Sequence, residues 1–344
     1  MPLTTLDSKI TQESIGKTTR RPRRLRQSAA LRSLVSETDV NPKNLVMPIF
    51  VKEGTEIKEQ IESMPGIFRV SPDENLDREI LEIESLGIGG VLLFGLPTKK
   101  DAIGTQAYNE SGIVQQAVRR IKQSNSKLVV ICDVCMCEYT DHGHCGILNQ
   151  KGMVENDKTI ELLGKIALSQ AKAGADIVAP SAMMDDQVQA IRKSLDSGGH
   201  ESTPIMSYSS KYASSFYGPF REAAGSTPSF GDRKSYQMSP SNVREAILET
   251  RLDVEQGADI IMVKPALSYL DVIRAVRTVF DLPLAAYSVS GEYSMIKAAS
   301  MNGWIDEERI VDEVLYSIRR AGADVIISYF AKDFARRYQQ RKSL

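Results

Sequence analysis

Three short stretches repeat one pattern: Ala173-Gly174-Ala175-Asp176, Gln256-Gly257-Ala258-Asp259 and Ala321-Gly322-Ala323-Asp324. In each, glycine offers the left-handed helix cap and the chain turns at once into an apolar run. Working outward, such runs recur at residues 45–51, 90–95, 128–134, 176–181, 204–209, 259–264, 283–290 and 324–330. They are rich in Val, Ile and Leu, as parallel strands buried on both faces should be. Helical stretches lie between them. Ser71-Pro72-Asp73-Glu74 reads as an N-cap, a first-turn proline and a capping-box glutamate, with Gly87 closing the helix. Ser239-Pro240 reads as the opening of another, with Val243, Ile247 and Val254 on its apolar side and Gly257 at its end. Eight strand-then-helix units predict a (β/α)8 TIM barrel. A doubly wound sheet would carry a G-x-G-x-x-G or Walker phosphate loop, and neither is present.

The 344 residues allow one large α/β domain with an extension, and 42% hydrophobic content provides a real core. A net charge of −1 gives the whole molecule no general attraction to nucleic acid or membrane. No apolar run reaches transmembrane length, and residues 1–30 lack the apolar core of a signal peptide. The first 26 residues nevertheless hold seven basic side chains (Lys9, Lys17, Arg20, Arg21, Arg23, Arg24, Arg26) against Asp7 and Glu13. A nucleic-acid arm, a targeting segment and an arm that packs on a partner subunit all fit such a run, and the lack of interleaved aromatics favours the last. We therefore divide the chain into an arm, residues 1–30, and a catalytic barrel, residues 31–344. The four cysteines, Cys132, Cys135, Cys137 and Cys145, share one short window, which suits a metal or redox site in a reducing, cytoplasmic setting.

In a barrel of this kind the chemistry sits at the carboxyl ends of the strands. Lys264 closes the apolar run Ile260-Ile261-Met262-Val263, so its amine meets a water-poor barrel mouth that disfavours the ammonium. Alone it could equally be a strand-end lysine reaching for solvent. Lys211 ends the preceding strand, about 4.8 Å away across the sheet, and two amines so close depress each other's proton affinity. The pair predicts nucleophilic lysines.

Cys135 and Cys137 are two residues apart, so an extended backbone would point both the same way, with Asp133, while Cys132 faces the opposite side as a small buried residue. Cys145 returns through a glycine turn. Three thiolates with an open fourth position suit catalytic zinc, whereas His142 or His144 would instead complete a closed structural site. Residues 212–236 are long for a strand-to-helix loop and read as a lid that brings Arg221 and Arg233, two guanidiniums suited to a carboxylate substrate.

The stretches DVCMCEYTDHGHC (133–145), MSYSSKYASSFYGPFR (206–221) and MVKP (262–265) resemble the porphobilinogen synthase (5-aminolevulinate dehydratase) family. RRPRR (20–24), VSGEY (289–293) and RRAGAD (319–324) extend the likeness over nearly the whole chain. The resemblance implies that two 5-aminolevulinate molecules condense, with loss of two waters, to the pyrrole porphobilinogen on the way to haem and related tetrapyrroles. By motif, Lys264 would hold the substrate that becomes the propionate side and Lys211 the one that becomes the acetate side. Ser290 and Tyr329 would bind the first carboxylate, and Arg221 and Arg233 the second. Cys135, Cys137 and Cys145 match the zinc-dependent branch, and Glu249, in REAILE (244–249), matches a position that holds an allosteric magnesium in some members. The family's octameric assembly through an N-terminal arm favours the assembly role for the basic segment. Asp133 is then a proton carrier or a partner of the metal ligands.

Two rival readings remain at this level. A class I aldolase would explain a barrel with one Schiff-base lysine, but neither the second lysine nor the converging cysteines. A zinc-stabilised binding module would explain the cysteines and the arm alone.

Overall fold

The computed structural model describes residues 20–342, so Lys9 and Lys17 of the basic segment lie outside the described residues. The residues form two units, one ending at Asp39 and one beginning at Val40. The first holds a 3-10 turn, Pro22–Arg26, and a short helix, Ala29–Leu34, neither of which buries a residue. The second is the barrel.

Its strands are β1 (Leu45–Lys52), β2 (Gly90–Leu96), β3 (Val129–Val134), β4 (Ile177–Pro180), β5 (Met206–Lys211), β6 (Ile260–Lys264), β7 (Leu284–Ser288) and β8 (Val325–Ser328). All neighbouring pairs are parallel, β8 meets β1 at Leu45↔Ile326, and a single bridge, Val178↔Ile205, closes the ring between β4 and β5. The outer layer is α1 (Glu74–Ser85), α2 (Ile113–Gln123), α3 (Asn156–Ala173), α4 (Gln187–Ser197), α5 (Arg244–Glu255), α6 (Leu270–Val279), α7 (Glu307–Ala321) and α8 (Ala331–Lys342). A small hairpin, Lys58–Gln60 with Phe68–Val70, adds to the upper half of β1. The predicted (β/α)8 barrel is the observed fold.

The repeated junctions do more than turn the chain. Gly174, Gly257 and Gly322 take φ of +104°, +102° and +133°, a region closed to most side chains. Each following aspartate then clasps the strand before it. Val130 N donates to Asp176 at 2.7 Å, Ile205 N to Asp259 at 2.8 Å and Leu284 N to Asp324 at 3.0 Å. In return the amides of Asp176, Asp259 and Asp324 donate to the carbonyls of the same three residues. Charged and backbone bonds thus lock β3 to β4, β5 to β6 and β7 to β8 at the barrel's amino end.

Two helix starts fall later than the sequence pattern suggests. Ser71 accepts from Ile57 N and donates to Asp73, which itself accepts from Asn75 N at 2.9 Å, so Asp73 rather than Ser71 caps α1. A carboxylate is the stronger acceptor at an N-terminus. Ser239-Pro240 does not open α5; Ser239 turns onto Ser241, and Tyr212 Oη donates to the Asn242 carbonyl, which delays the helix to Arg244. Val243 is accordingly exposed.

Toward the carboxyl end the interior becomes aromatic. Rings of Phe94, Phe50, Tyr329, Tyr287 and Tyr208 follow one another at centroid spacings of 5.6, 6.2, 6.1 and 6.4 Å. They form a floor under the barrel mouth.

No ion pair accompanies Asp259 among the described residues, unlike Asp176 with Lys122 and Asp324 with Arg277. Asp259→Ala therefore isolates the backbone clasp and should cost about 1–2 kcal/mol, lowering the thermal midpoint by about 2–4 °C. Asp259→Asn, which keeps an acceptor, should lose less; equal midpoints for wild type and the alanine variant would refute the clasp.

Candidate active site

The lysines stand opposite each other because β5 carries an extra residue. Ser207 pairs with Ile261 but Ser210 pairs with Val263, so three steps on β5 match two on β6, and Lys211 becomes the partner of Lys264. A β-bulge of this kind re-aims the side chains beyond it. It lets both Tyr208 and Lys211 face the interior although they differ in parity.

Both lysines are buried, each 5% exposed. The Lys264 amine lies 4.2 Å from the Tyr287 ring centre, 5.0 Å from Tyr208, 5.2 Å from Phe220 and 5.3 Å from Tyr217. Burial, and then the charge of Lys211, push its pKa down to about 7. Lys211 Nζ donates to the Ser181 carbonyl and lies 5.6 Å from the Tyr208 ring centre. The sequence pattern offers no sign of this aromatic cage, because its members come from β5, β7 and the segment after Lys211.

Asp133 lies within the same enclosure. Ser181 Oγ donates to its Oδ2 at 3.1 Å, while Oδ1 has no partner. Burial, reinforced by the charge of Glu138, raises its pKa to about 7. At neutral pH it can therefore carry or release a proton. Glu138 is a fully buried carboxylate that sequence reasoning missed; its position directly after Cys137 was the available signal.

The cysteines converge, but not through strand parity. β3 ends at Val134, and amides of Tyr139 and Thr140 turn back onto the Met136 carbonyl, so a turn brings Cys137 round to Cys135. The Cys135 and Cys137 sulfurs are 3.5 Å apart, and with Cys145 all three lie within 4.8 Å of one another. Thiolates sharing a tetrahedral zinc with bonds of about 2.3 Å would be about 3.8 Å apart, so the donors fit such an ion. Hydrogen bonds from Cys135 and Cys137 hold the Cys145 thiol well below its usual range, favouring a thiolate there. Cys132 is buried and apart from the group, its thiol pushed far up by burial. The histidine alternative does not fit: His144 Nε2 donates to the Phe230 carbonyl and its Nδ1 is taken up by Tyr236 Oη, and His142 Nδ1 accepts from His144 N. A second set, Asp133, Cys135 and Glu138, also lies within ligand range.

Residues 212–236 cover the site. They include the helix Gly218–Ala223, which carries Phe220 and Arg221. Phe220 N donates to Ser290 Oγ, which in turn donates to the Phe216 carbonyl. Arg69 holds the Glu222 and Ala223 carbonyls, and Lys100 the Gly225 carbonyl. Arg233 is buried and donates to the Gly143 and Ser226 carbonyls, while Arg221 is half-buried and its pKa is lowered by burial and by Arg233. Tyr329 is buried and bonded to Tyr287 at 3.1 Å. Under this cover the cavity bounded by both lysines, Asp133, Glu138 and Arg233 is about 10 Å³, room for about one water.

Several polar atoms without partners gather here: Asp133 Oδ1, Tyr208 Oη and the Nε atoms of Arg221 and Arg233. Buried polar groups ordinarily find partners, so this concentration marks where a polar ligand belongs. Glu249 stands elsewhere, on α5 beside a larger cavity of about 310 Å³ that Asp185 and Glu245 also line. Burial and then Asp253 raise its pKa to about 7. Among the described residues it joins no set of three metal-ligating side chains.

A model of the family "Delta-aminolevulinic acid dehydratase" matches residues 19–337. A relative of that name from Halalkalibacterium halodurans is 57% identical over 325 residues, 94% of this chain and 98% of its own length. Another, from Bacillus subtilis, is 56% identical over 316 residues, covering 92% of this chain and 97% of itself. The crystal structure of delta-aminolevulinic acid dehydratase (porphobilinogen synthase) from Toxoplasma gondii ME49, in complex with the reaction product porphobilinogen, superposes with a TM-score of 0.90. It shares 45% identity over 93% of this chain and 91% of that one.

The state of Lys264 can be read directly. Reductive methylation with formaldehyde, followed by peptide mapping, should modify it with a midpoint near pH 7, its free-amine fraction rising with pH. Ordinary lysines have their midpoint near about 10.4, and a similar midpoint for Lys264 would refute the depressed pKa.

Proposed function

This chain belongs to the delta-aminolevulinic acid dehydratase family, and we propose that it makes porphobilinogen by holding one 5-aminolevulinate on Lys264 and another on Lys211 as Schiff bases. The observation that carries this reading is the pairing of two buried amines at one register level, ringed by polar atoms that lack partners. A single-lysine aldolase has no use for the second amine.

The free Lys264 amine attacks the ketone carbon of the first substrate, and water leaves as the iminium forms. Lys211 does the same with the second. Each iminium draws electrons from the neighbouring carbon, so one substrate loses a proton and attacks as a carbon nucleophile. It adds to the other substrate's iminium carbon, and that substrate's amine closes the ring on the first's iminium carbon. Each lysine then departs as the free amine while a ring proton is lost. Both lysines are thereby regenerated, and the only waters lost are the two from Schiff-base formation. Asp133, poised near neutrality, takes or returns a proton beside the lysines. Arg221 and Arg233 suit the second substrate's carboxylate. Tyr329 and Ser290 suit the first, Ser290 exchanging its present bonds to the lid for the ligand. A zinc ion on Cys135, Cys137 and Cys145 would supply a Lewis acid with an open position in the same enclosure. Glu249 is the residue we assign to a regulatory magnesium, its half-buried carboxylate having acidic neighbours that a cation would relieve.

A cavity for one water cannot admit either substrate, so residues 212–236 act as a lid that opens and shuts in each cycle. Lys264, whose pKa burial and Lys211 lower to about 7, takes the first substrate, and Lys211 engages after closure. Among the described residues no helix is long and apolar enough to cross a membrane. The basic segment, residues 1–30, is assigned to assembly of a homo-octamer, and the free thiols to a reducing compartment, the cytoplasm. Nothing in the near-neutral charge calls for nucleic acid.

Borohydride added with 5-aminolevulinate should leave adducts on Lys264 and Lys211, found by peptide mass mapping, and Lys264→Ala should lower kcat by at least about 10⁴-fold. Absence of adduct from both lysines would sink the reading. Chelation should abolish turnover and leave the Lys264 adduct intact; full activity without metal would remove zinc from the chemistry. Deleting residues 1–30 should lower the sedimentation coefficient, whereas an unchanged octamer would free the arm of any role in assembly.

A further inference from the structure

The extra residue in β5 is the feature on which the lysine pair turns. Were the ladder to continue from Ser207↔Ile261 without it, Ser210 would stand opposite Lys264. A one-residue slip reverses every side chain beyond it, so Lys211 would then point out toward α5. A bulge leaves ladder groups unpaired and needs something to hold it.

Helix α5 supplies that hold along its inner face. Ser207 Oγ donates to Asp253 Oδ2 at 2.7 Å, and Ser209 Oγ donates to the Ser207 carbonyl at 3.4 Å beside the same carboxylate, which it helps keep ionised. Ser210 Oγ meets Thr250 Oγ1 at 3.0 Å and the Ala246 carbonyl at 3.2 Å. Ser207 and Ser210, on either side of the bulge, are thus tied to one helix, Ser207 to a carboxylate. Asp253 has no cation paired with it among the described residues. A carboxylate kept there without a counter-charge costs stability relative to a neutral side chain unless its hydroxyl partners are needed where they are.

We propose that Asp253 is a positioning residue: by gripping Ser207 from behind the sheet it fixes the bulge that turns Lys211 into the barrel opposite Lys264. The inference rests on the two-lysine reading above. Asp253 lies outside the enclosure that holds the lysines and acts through β5. Its loss should therefore weaken one lysine and spare the other. Truncating a merely structural carboxylate would lower stability and affect both lysines together.

The full-length enzyme, loaded with 5-aminolevulinate and reduced with borohydride, gives the ratio of Lys211 to Lys264 adducts. In Asp253→Ala the Lys211 adduct should fall at least about tenfold while the Lys264 adduct stays within about twofold, and kcat should drop about 100-fold, as expected for misplacement near 1 Å. Asp253→Asn keeps an oxygen that can accept from Ser207 and should restore most of both. If Asp253→Ala does not fold, Ser207→Ala reads the same ratio, with a fall of about threefold expected from loss of one hydrogen bond. Equal losses at the two lysines, or an unchanged ratio in the folded variants, would overturn the role of Asp253. Wild-type enzyme that forms neither adduct would overturn instead the two-lysine reading beneath it.

Discussion

Two ammonium groups cannot both be kept in a closed space of apolar walls, and the site is organised around that limit. Water, the cheapest partner for a charge, is nearly excluded, and the rings of Tyr208, Tyr217, Phe220 and Tyr287 stabilise a cation only in part. One amine therefore gives up its proton near neutrality, and Lys264 is the one more fully ringed. Lys211 has a backbone carbonyl to donate to. The unequal surroundings make two chemically identical side chains behave differently, and in the proposed two-lysine reaction that difference tells two identical substrates apart.

The same limit explains the acids nearby. Asp133 and Glu138 are also buried, burial discourages ionisation of both, and the charge of Glu138 raises Asp133 further. Amines and carboxyls share protons as a group, so protonation at one position is felt at the rest. Of the three sulfurs, Cys145 is the one favoured as a thiolate, held so by hydrogen bonds from Cys135 and Cys137 and by Arg233. Excluding water from such a group intensifies every interaction within it.

Much of this was legible in the residues. Eight apolar runs at regular spacing could hardly be anything but a barrel, and a lysine at the end of such a run stands out chemically. The cysteines announced themselves by clustering. Other features left no local trace. The bulge lies in Met206–Lys211, where three serines carry no periodic signal, and only cross-strand register reveals it. The aromatic cage is assembled from residues up to 79 positions apart, from Tyr208 to Tyr287. Helix starts were misread where two good caps competed, as Ser71 and Asp73 did, because the winner depends on what else each hydroxyl or carboxylate must hold. Glu138 was passed over since acidic residues are common beside any motif, and its burial is a property of the fold.

The aspartate clasps also set where the barrel is strong. They join the strands two by two, β3 with β4, β5 with β6, and β7 with β8, and no such clasp crosses the seams between pairs. The seam between β4 and β5 is the thinnest, with the one bridge Val178↔Ile205. Segments with few backbone bonds are the first to open under thermal motion. Ser181 follows one edge of that seam and Lys211 ends the other, and the Lys211 amine donating to the Ser181 carbonyl is itself a stitch across the thinnest wall. A cylinder stitched in pairs is a set of staves rather than a uniform tube, and here one stave is held to the next by a side chain that the proposed reaction has to free.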